Sequence, residues 1–250
     1  MKNLIAGAVA GALLAMLGLT AASAEVWPVR IERAGVLSQG KFQLDAGLAF
    51  EKDREIVGLE YDNVRLAPFG LRYGLGDSAE VGGFVAFSSN SEDDNGAPDE
   101  SGVEGLTFFG KLAMNEYFSL QAGMTFGGDD DIAPYANDGL DLFVNVPMQR
   151  KVGPGLLYGQ FGYRVQGGDF DDVSYFSYGI GYGLPFSGTL SLNVELVGEE
   201  AQKGTDNTLD LVLGGTITAG QNVGIAPYLS IGVYDDSPDV AAGALLHVMF

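Results

Sequence analysis

The chain of 250 residues has no cysteine, a single histidine, and only 13 lysines and arginines against 33 aspartates and glutamates. Without cysteine there is no disulfide framework and no lipid-modified N-terminal Cys. The shortage of positive charge argues against nucleic acid and against an anionic lipid surface as partners. Charged residues make up only 18% of the chain, the opposite of the low-hydrophobicity, high-charge balance that keeps chains disordered. After residue 24 no apolar run approaches the ~20 residues that a membrane-spanning helix needs. A chain lacking such helices crosses a bilayer only as a closed barrel, because every backbone polar group must be paired inside hydrocarbon.

What is present begins with a leader-like N-terminus. Met1, Lys2 and Asn3 precede an apolar stretch from Leu4 to Leu19, and Ala22, Ser23, Ala24 form an A-x-A site ahead of Glu25. This is the layout of a secretory signal peptide, expected to be cleaved after Ala24. An uncleaved anchor helix is the competing reading, but the stretch is short for it and rich in Gly and Ala. The organisation expected is therefore a signal peptide over 1–24, a segment over 25–40 with Trp27, Pro28 and several charges that forms a periplasmic strap or a lumen plug, and a barrel over 41–250.

From Lys41 the sequence repeats one unit: about ten residues of apolar/polar alternation, then by turns a tight connection or a longer acidic loop. A period of two means strands. Phe42, Leu44, Ala46, Leu48 and Phe50 alternate with Lys41, Gln43, Asp45 and Glu51; the second strand, from about Asn63 to Tyr73, sets Ala67, Phe69, Leu71 and Tyr73 against Arg72. Ten more such segments follow, the last with Ala242, Ala244, Leu246, Val248 and Phe250 on one face and His247 on the other. The fold class expected is all-β: a transmembrane, antiparallel, up-and-down β-barrel of about 12 strands in the cell outer membrane.

A soluble antiparallel sandwich alternates in the same way. Three features favour the barrel. The polar face is small and polar rather than charge-dense, and connections alternate short and long as periplasmic turns and external loops do. Outward aromatics fall at both ends of the strands, Tyr73, Phe118, Tyr182 and Phe250 near the turns and Phe50, Phe87, Phe126 and Phe176 near the loops, as interfacial girdles would. An even strand count also puts both chain ends on the turn side.

The stretch Ala242 to Phe250, with Leu246, Val248 and a terminal Phe250, resembles the signal by which the barrel-assembly machinery recognises its substrates. Pro68 to Phe87, PFGLRYGLGDSAEVGGFVAF, is similar to a segment common in the MetA-pathway phenol-degradation family of outer-membrane transporters, where a strand ending L-R-Y-G-L is followed by a short Asp-containing turn and a strand opening on an acidic residue. The resemblance covers one hairpin. It implies an outer-membrane channel and carries over no catalytic residue.

Twelve strands lie between eight-stranded barrels filled by their own side chains and porins with open channels. By parity the inward face carries Asp45, Glu80, Asp141, Glu195 and Asp210 with Lys41, Arg72, Lys111 and Arg164. Such charges either select small solutes, as charged rings do in pores, or pair with one another and close the barrel. Phe84, Phe109, Phe143, Tyr158 and Tyr228 also point inward, lining a path for aromatic or apolar solutes or filling space. The acidic loops (Glu92, Asp93, Asp94, Asp99 and Glu100; Asp129 to Asp131; Asp169, Asp171 and Asp172; Asp235, Asp236 and Asp239) are oxygen-rich enough for hard divalent cations bridging to lipopolysaccharide, yet none follows the twelve-residue calcium-loop spacing, so solvated loops are the simpler reading. His247 has no serine near it in sequence, which disfavours a lipid-modifying enzyme of the kind that pairs a base with a nucleophile. No pattern points to a cofactor or a metal. The partners expected are outer-membrane lipid and lipopolysaccharide, the barrel-assembly machinery and a small-molecule solute. The reading is a passive channel for small solutes; a structural or surface-interaction barrel with a blocked lumen is the alternative.

Overall fold

The computed structural model describes residues 26–56, 59–92, 100–128, 139–167, 174–202, 207–220 and 222–250. The expected signal peptide, Asp93, Asp94, Asp99, Asp129 to Asp131, Asp169, Asp171 and Asp172 lie outside them.

Twelve strands run in chain order: β1 (Phe42–Ile56), β2 (Leu59–Gly74), β3 (Ala79–Glu92), β4 (Glu100–Ala113), β5 (Ser119–Gly127), β6 (Leu140–Val152), β7 (Gly155–Val165), β8 (Ser174–Pro185), β9 (Leu190–Ala201), β10 (Thr208–Ala219), β11 (Val223–Gly232) and β12 (Val240–Met249). Each pairs antiparallel with its neighbours in sequence, and β1 pairs with β12 from Gln43 opposite Met249 to Lys52 opposite Val240, closing the barrel. Beyond the last strand, Phe250 and Phe42 exchange backbone hydrogen bonds, so the pairing reaches the C-terminus. Closure leaves no strand edge to be satisfied by water.

The two faces follow the alternation. Leu48, Phe69, Leu142, Phe161 and Ile180 are exposed on the outside, while Gln43, Asp45, Lys111, Gln121 and Asn193 are buried within. An exterior of this kind requires hydrocarbon around it. Outward aromatics meet near the ends of strands, Phe42 on Tyr73 at the turn side (4.5 Å) and Phe176 against Phe161 and Tyr163 at the loop side (5.7 and 5.0 Å).

The turns are fixed by local chemistry. Asn115 Oδ1 accepts from the backbone N–H of Tyr117 and Phe118, an Asx arrangement that reverses the chain. Gly153 and Gly220 take positive φ (58° and 72°) between β6 and β7 and after β10, which costs a residue without Cβ nothing.

Two expectations change. The second strand starts at Leu59 rather than near Asn63, and β1 continues to Ile56, so the first external connection shrinks to residues 57–58. This stretch loses the alternation because, beyond the lipid band, a hairpin has water on both faces. Ala67, placed outward by parity, instead lines the interior cavity with Pro68. A register shift between Leu66 and Phe69 inserts extra chain there, and such a bulge breaks strict alternation.

Four inward aromatics lie on the wall rather than across the bore. Phe109, Phe143, Tyr158 and Tyr228 each sit opposite a glycine of the neighbouring strand, Gly82, Gly123, Gly181 and Gly243. A Cβ added to Gly82, Gly123 or Gly243 would lie 2.5, 2.5 or 2.6 Å from the opposing ring. Each ring thus occupies the space of a missing side chain, the arrangement that rescues glycine in strands.

Candidate functional site

Residues 26–40 lie inside the barrel at its turn side, against the inward face of the strands. Val26 approaches Gly183 and the carbonyls of Leu37 and Ser38 approach Gly74, both near turn ends, so the segment rises from one point of the rim and returns to another before β1 begins. Between these arms its backbone is held by side chains from the wall. Glu195 on β9 accepts from the N–H of Val29 (2.6 Å) and Arg30 (2.8 Å), with the Tyr158 hydroxyl donating to the same carboxylate at 2.8 Å. Gln160 accepts from the Glu32 N–H and Glu80 from the Leu37 N–H, each at 2.8 Å. A non-helical segment buried in a lumen must find acceptors for its amides, and this wall supplies them.

Side chains complete the attachment. Val29 packs on Val212 and Ala226 with Val197, Tyr228 and Leu245 around them, an apolar patch in an otherwise polar interior. The Trp27 ring rests on His247 (4.6 Å), and the Arg33 guanidinium lies over the same indole (5.2 Å). Glu32 reaches Arg72 Nη1 at 2.8 Å and Lys111 Nζ at 2.7 Å. Behind it, Lys111 also pairs with Glu80 (2.9 Å), and Arg72 with Asp45 (2.6 Å) and Glu80 (3.3 Å). Burial opposes ionisation of Glu32, yet Arg72 and Lys111 outweigh it and hold this carboxyl well below the usual carboxylate range.

Above the segment, toward the loops, lies a cavity of about 650 Å³. Its wall carries charges of both signs, among them Glu51, Arg54 and Arg65 on β1 and β2, Glu104 on β4, Asp141 on β6, Arg164 and Glu199 on β7 and β9, and Asp210 on β10. Several are paired: Arg65 forks onto Glu104 with two bonds of 2.7 Å, Arg54 meets Glu51 at 3.2 Å, and Arg30 Nη1 meets Asp210 Oδ2 at 2.6 Å. Phe84, Phe143 and Tyr228 line the same space.

The inward residues named from sequence divide into two groups. Asp45, Arg72, Asp141, Arg164, Asp210, Tyr228 and His247 face the cavity. Glu80, Lys111, Tyr158 and Glu195 are 1–2% exposed and bond to residues 26–40 or to the cluster beneath them. Lys41 is exposed at the rim. Parity missed Trp27, Arg30, Glu32 and Arg33 because they precede the first alternating segment; the only signal was that three charges in four residues face a lumen of mixed sign. His247 Nδ1 bonds Asp45 at 2.6 Å, while Nε2 has no hydrogen-bond partner among the described residues. Among the described residues the Asp–His pair is not extended to a nucleophile. Among the described residues no group of three or more acidic or histidine side chains is placed to hold a metal ion. Leu246, Val248 and Phe250 continue the outward row of β12.

No family model and no curated protein sequence matches the chain. Solved structures do. An outer membrane channel from Pseudomonas putida F1 superposes with a TM-score of 0.66 at 17% identity, covering 90% of this chain and 100% of that one. The translocator domain of the autotransporter NalP from Neisseria meningitidis gives 0.57 at 12% identity over 86% and 89% of the two chains. The KdgM porin gives 0.51 at 14% identity over 83% and 99%. The chain has the fold of outer-membrane barrels, and activity has to be argued from the lumen itself.

Proposed function

We propose that the protein is a passive outer-membrane channel for small solutes, entered through the charged cavity and limited by its own N-terminal segment. The observation that carries this reading is the 650 Å³ cavity inside the barrel, which runs from Trp27 and His247 at the plug to Glu104, Thr208 and Pro238 close to the loop-side ends of β4, β10 and β12. A barrel serving only as a surface scaffold has no need of such a space, and here four of the inward rings sit over glycines of the neighbouring strand. Phe84, Phe143 and Tyr228 give the solute apolar surface between the charges, suiting small molecules with an aromatic or apolar body. No catalytic role is assigned, since the Asp45–His247 pair lacks a nucleophile among the described residues. The setting of this channel is outer-membrane lipid and lipopolysaccharide, reached through the barrel-assembly machinery by way of the Leu246, Val248 and Phe250 row.

The test is passage in reconstituted liposomes. Protein lacking residues 26–36 should admit small solutes faster than the intact chain, with both forms faster than protein-free vesicles. Equal, background rates for the two would refute a channel and favour the blocked, structural barrel.

A further inference from the structure

We infer that Arg30, carried on the N-terminal segment and not on the barrel, is the residue that sets the charge selectivity of the passage. This rests on the channel reading above and names the group that would decide which ions the channel passes. The three described charges of the segment have different fates. Glu32 is taken up by Arg72 and Lys111. Arg33 lies over Trp27 and donates to Gln43. Arg30 alone of the three cavity-lining charges of this segment forms its ion pair with a wall carboxylate toward the loop side of the open space, Asp210 on β10.

The balance around it is close. The cavity is lined by six arginines, Arg30, Arg54 and Arg65 among them, and by seven carboxylates, Glu51, Glu104 and Asp210 among them. The wall pairs Arg65 with Glu104 and Arg54 with Glu51 without help from the segment. Asp210 instead bonds Arg30 through Oδ2, while its buried Oδ1 has no hydrogen-bond partner among the described residues. Removing the guanidinium therefore leaves a carboxylate with one oxygen unpartnered and the other newly so, on the wall of the cavity. The barrel wall alone lines the cavity with four arginines against six carboxylates, and the segment, with Arg30, Arg33 and Glu32, adds one net positive charge. Displacement of the segment thus makes the passage more acidic as well as wider.

The experiment uses two readouts on the full chain. In lipid bilayers under a KCl gradient, Arg30→Gln should raise the cation-to-anion permeability ratio roughly sixteenfold, because the Coulomb effect of one unit charge on an ion passing ~5 Å away at the dielectric of water is about fourfold for each ion and opposite in sign for the two. Arg30→Lys should restore the original ratio, and Asp210→Asn should move it the other way. Because the chain has no native thiol, Arg30→Cys gives a single reactive site. A methanethiosulfonate bearing an ammonium should outpace one bearing a sulfonate there, and adding Asp210→Asn should reduce that preference by a similar factor, with no current needed. A permeability ratio and a reagent preference both insensitive to these changes overturn the inference. Absence of current in every variant, with a reagent preference that still follows Asp210, refutes the channel and leaves Arg30 as the group neutralising the wall.

Discussion

Replacing Glu195 with alanine should release the N-terminal segment while leaving the barrel folded. The Glu195 carboxylate is 1% exposed and accepts the backbone N–H of Val29 and Arg30 as well as the Tyr158 hydroxyl. A hydrogen bond to a charged group contributes about 1.5–3 kcal/mol. Docked, the alanine variant leaves the buried Val29 amide and the part-buried Arg30 amide without their acceptor; undocked, both amides are hydrated. Docking should therefore weaken by about 3–6 kcal/mol, two such bonds, or roughly two to four powers of ten in the docked-to-undocked ratio. Glu195→Gln keeps one acceptor oxygen and should lose about half as much. The assay is amide hydrogen exchange at Val29 and Arg30 in the folded barrel, with limited proteolysis of residues 26–36 as a second probe. Barrel amides such as those of Leu196 and Leu211 serve as internal controls. Unchanged protection at Val29 and Arg30 in the alanine variant would refute the view that this carboxylate is the principal anchor.

Four further outcomes follow. The Cβ positions of Val26 and of an alanine built at Gly183 are 3.3 Å apart, near the ~3.5–4.5 Å of disulfides; Val26→Cys with Gly183→Cys should cross-link on oxidation and lower liposome permeability, and reduction should restore it. Glu32 ionises more readily docked than free, so its contribution to docking is complete above the ordinary carboxylate range and is lost as pH falls through its lowered value; protection of the Glu32 amide should stay constant between pH ~5 and ~8, after correction for intrinsic rates, and should fall only in stronger acid. Gly243→Val should press on the Tyr228 ring and destabilise the barrel by about 1–3 kcal/mol, read as a lower denaturant midpoint in detergent, whereas the same change at Gly220, where an added Cβ meets nothing, should act only through its positive φ. Leu213→Arg, on the exposed outer face of β10, should lower folding stability in lipid vesicles by about 2–4 kcal/mol if it lies at the midplane.

The barrel was legible because its cause is local. A strand with lipid on one side and water on the other must alternate, and Phe42 to Phe50 or Leu190 to Leu196 do so whatever their neighbours are. The turn side was legible too, since Asn115 and Gly153 reverse the chain with nearby atoms. What stayed hidden depends on partners distant in sequence. Nothing around Glu195 indicates that it binds amides 165 and 166 residues away, and nothing around Glu80, Lys111 or Tyr158 separates them from inward residues that face open space. Parity gave their direction, and only the path of residues 26–40 divides anchors from vestibule wall. Ala67 illustrates the same limit on a smaller scale, because one register shift reverses which side a residue faces.

The pairing of inward rings with glycines on adjacent strands bears on how such a pore can change over time. Exchanging Tyr228 for a small residue opens a dent in the wall, and enlarging Gly243 swings the ring into the bore; neither step alone yields a smooth tunnel of another calibre. Calibre is therefore inherited as couples of residues rather than singly, and descendants of this chain should alter ring and glycine together or keep both.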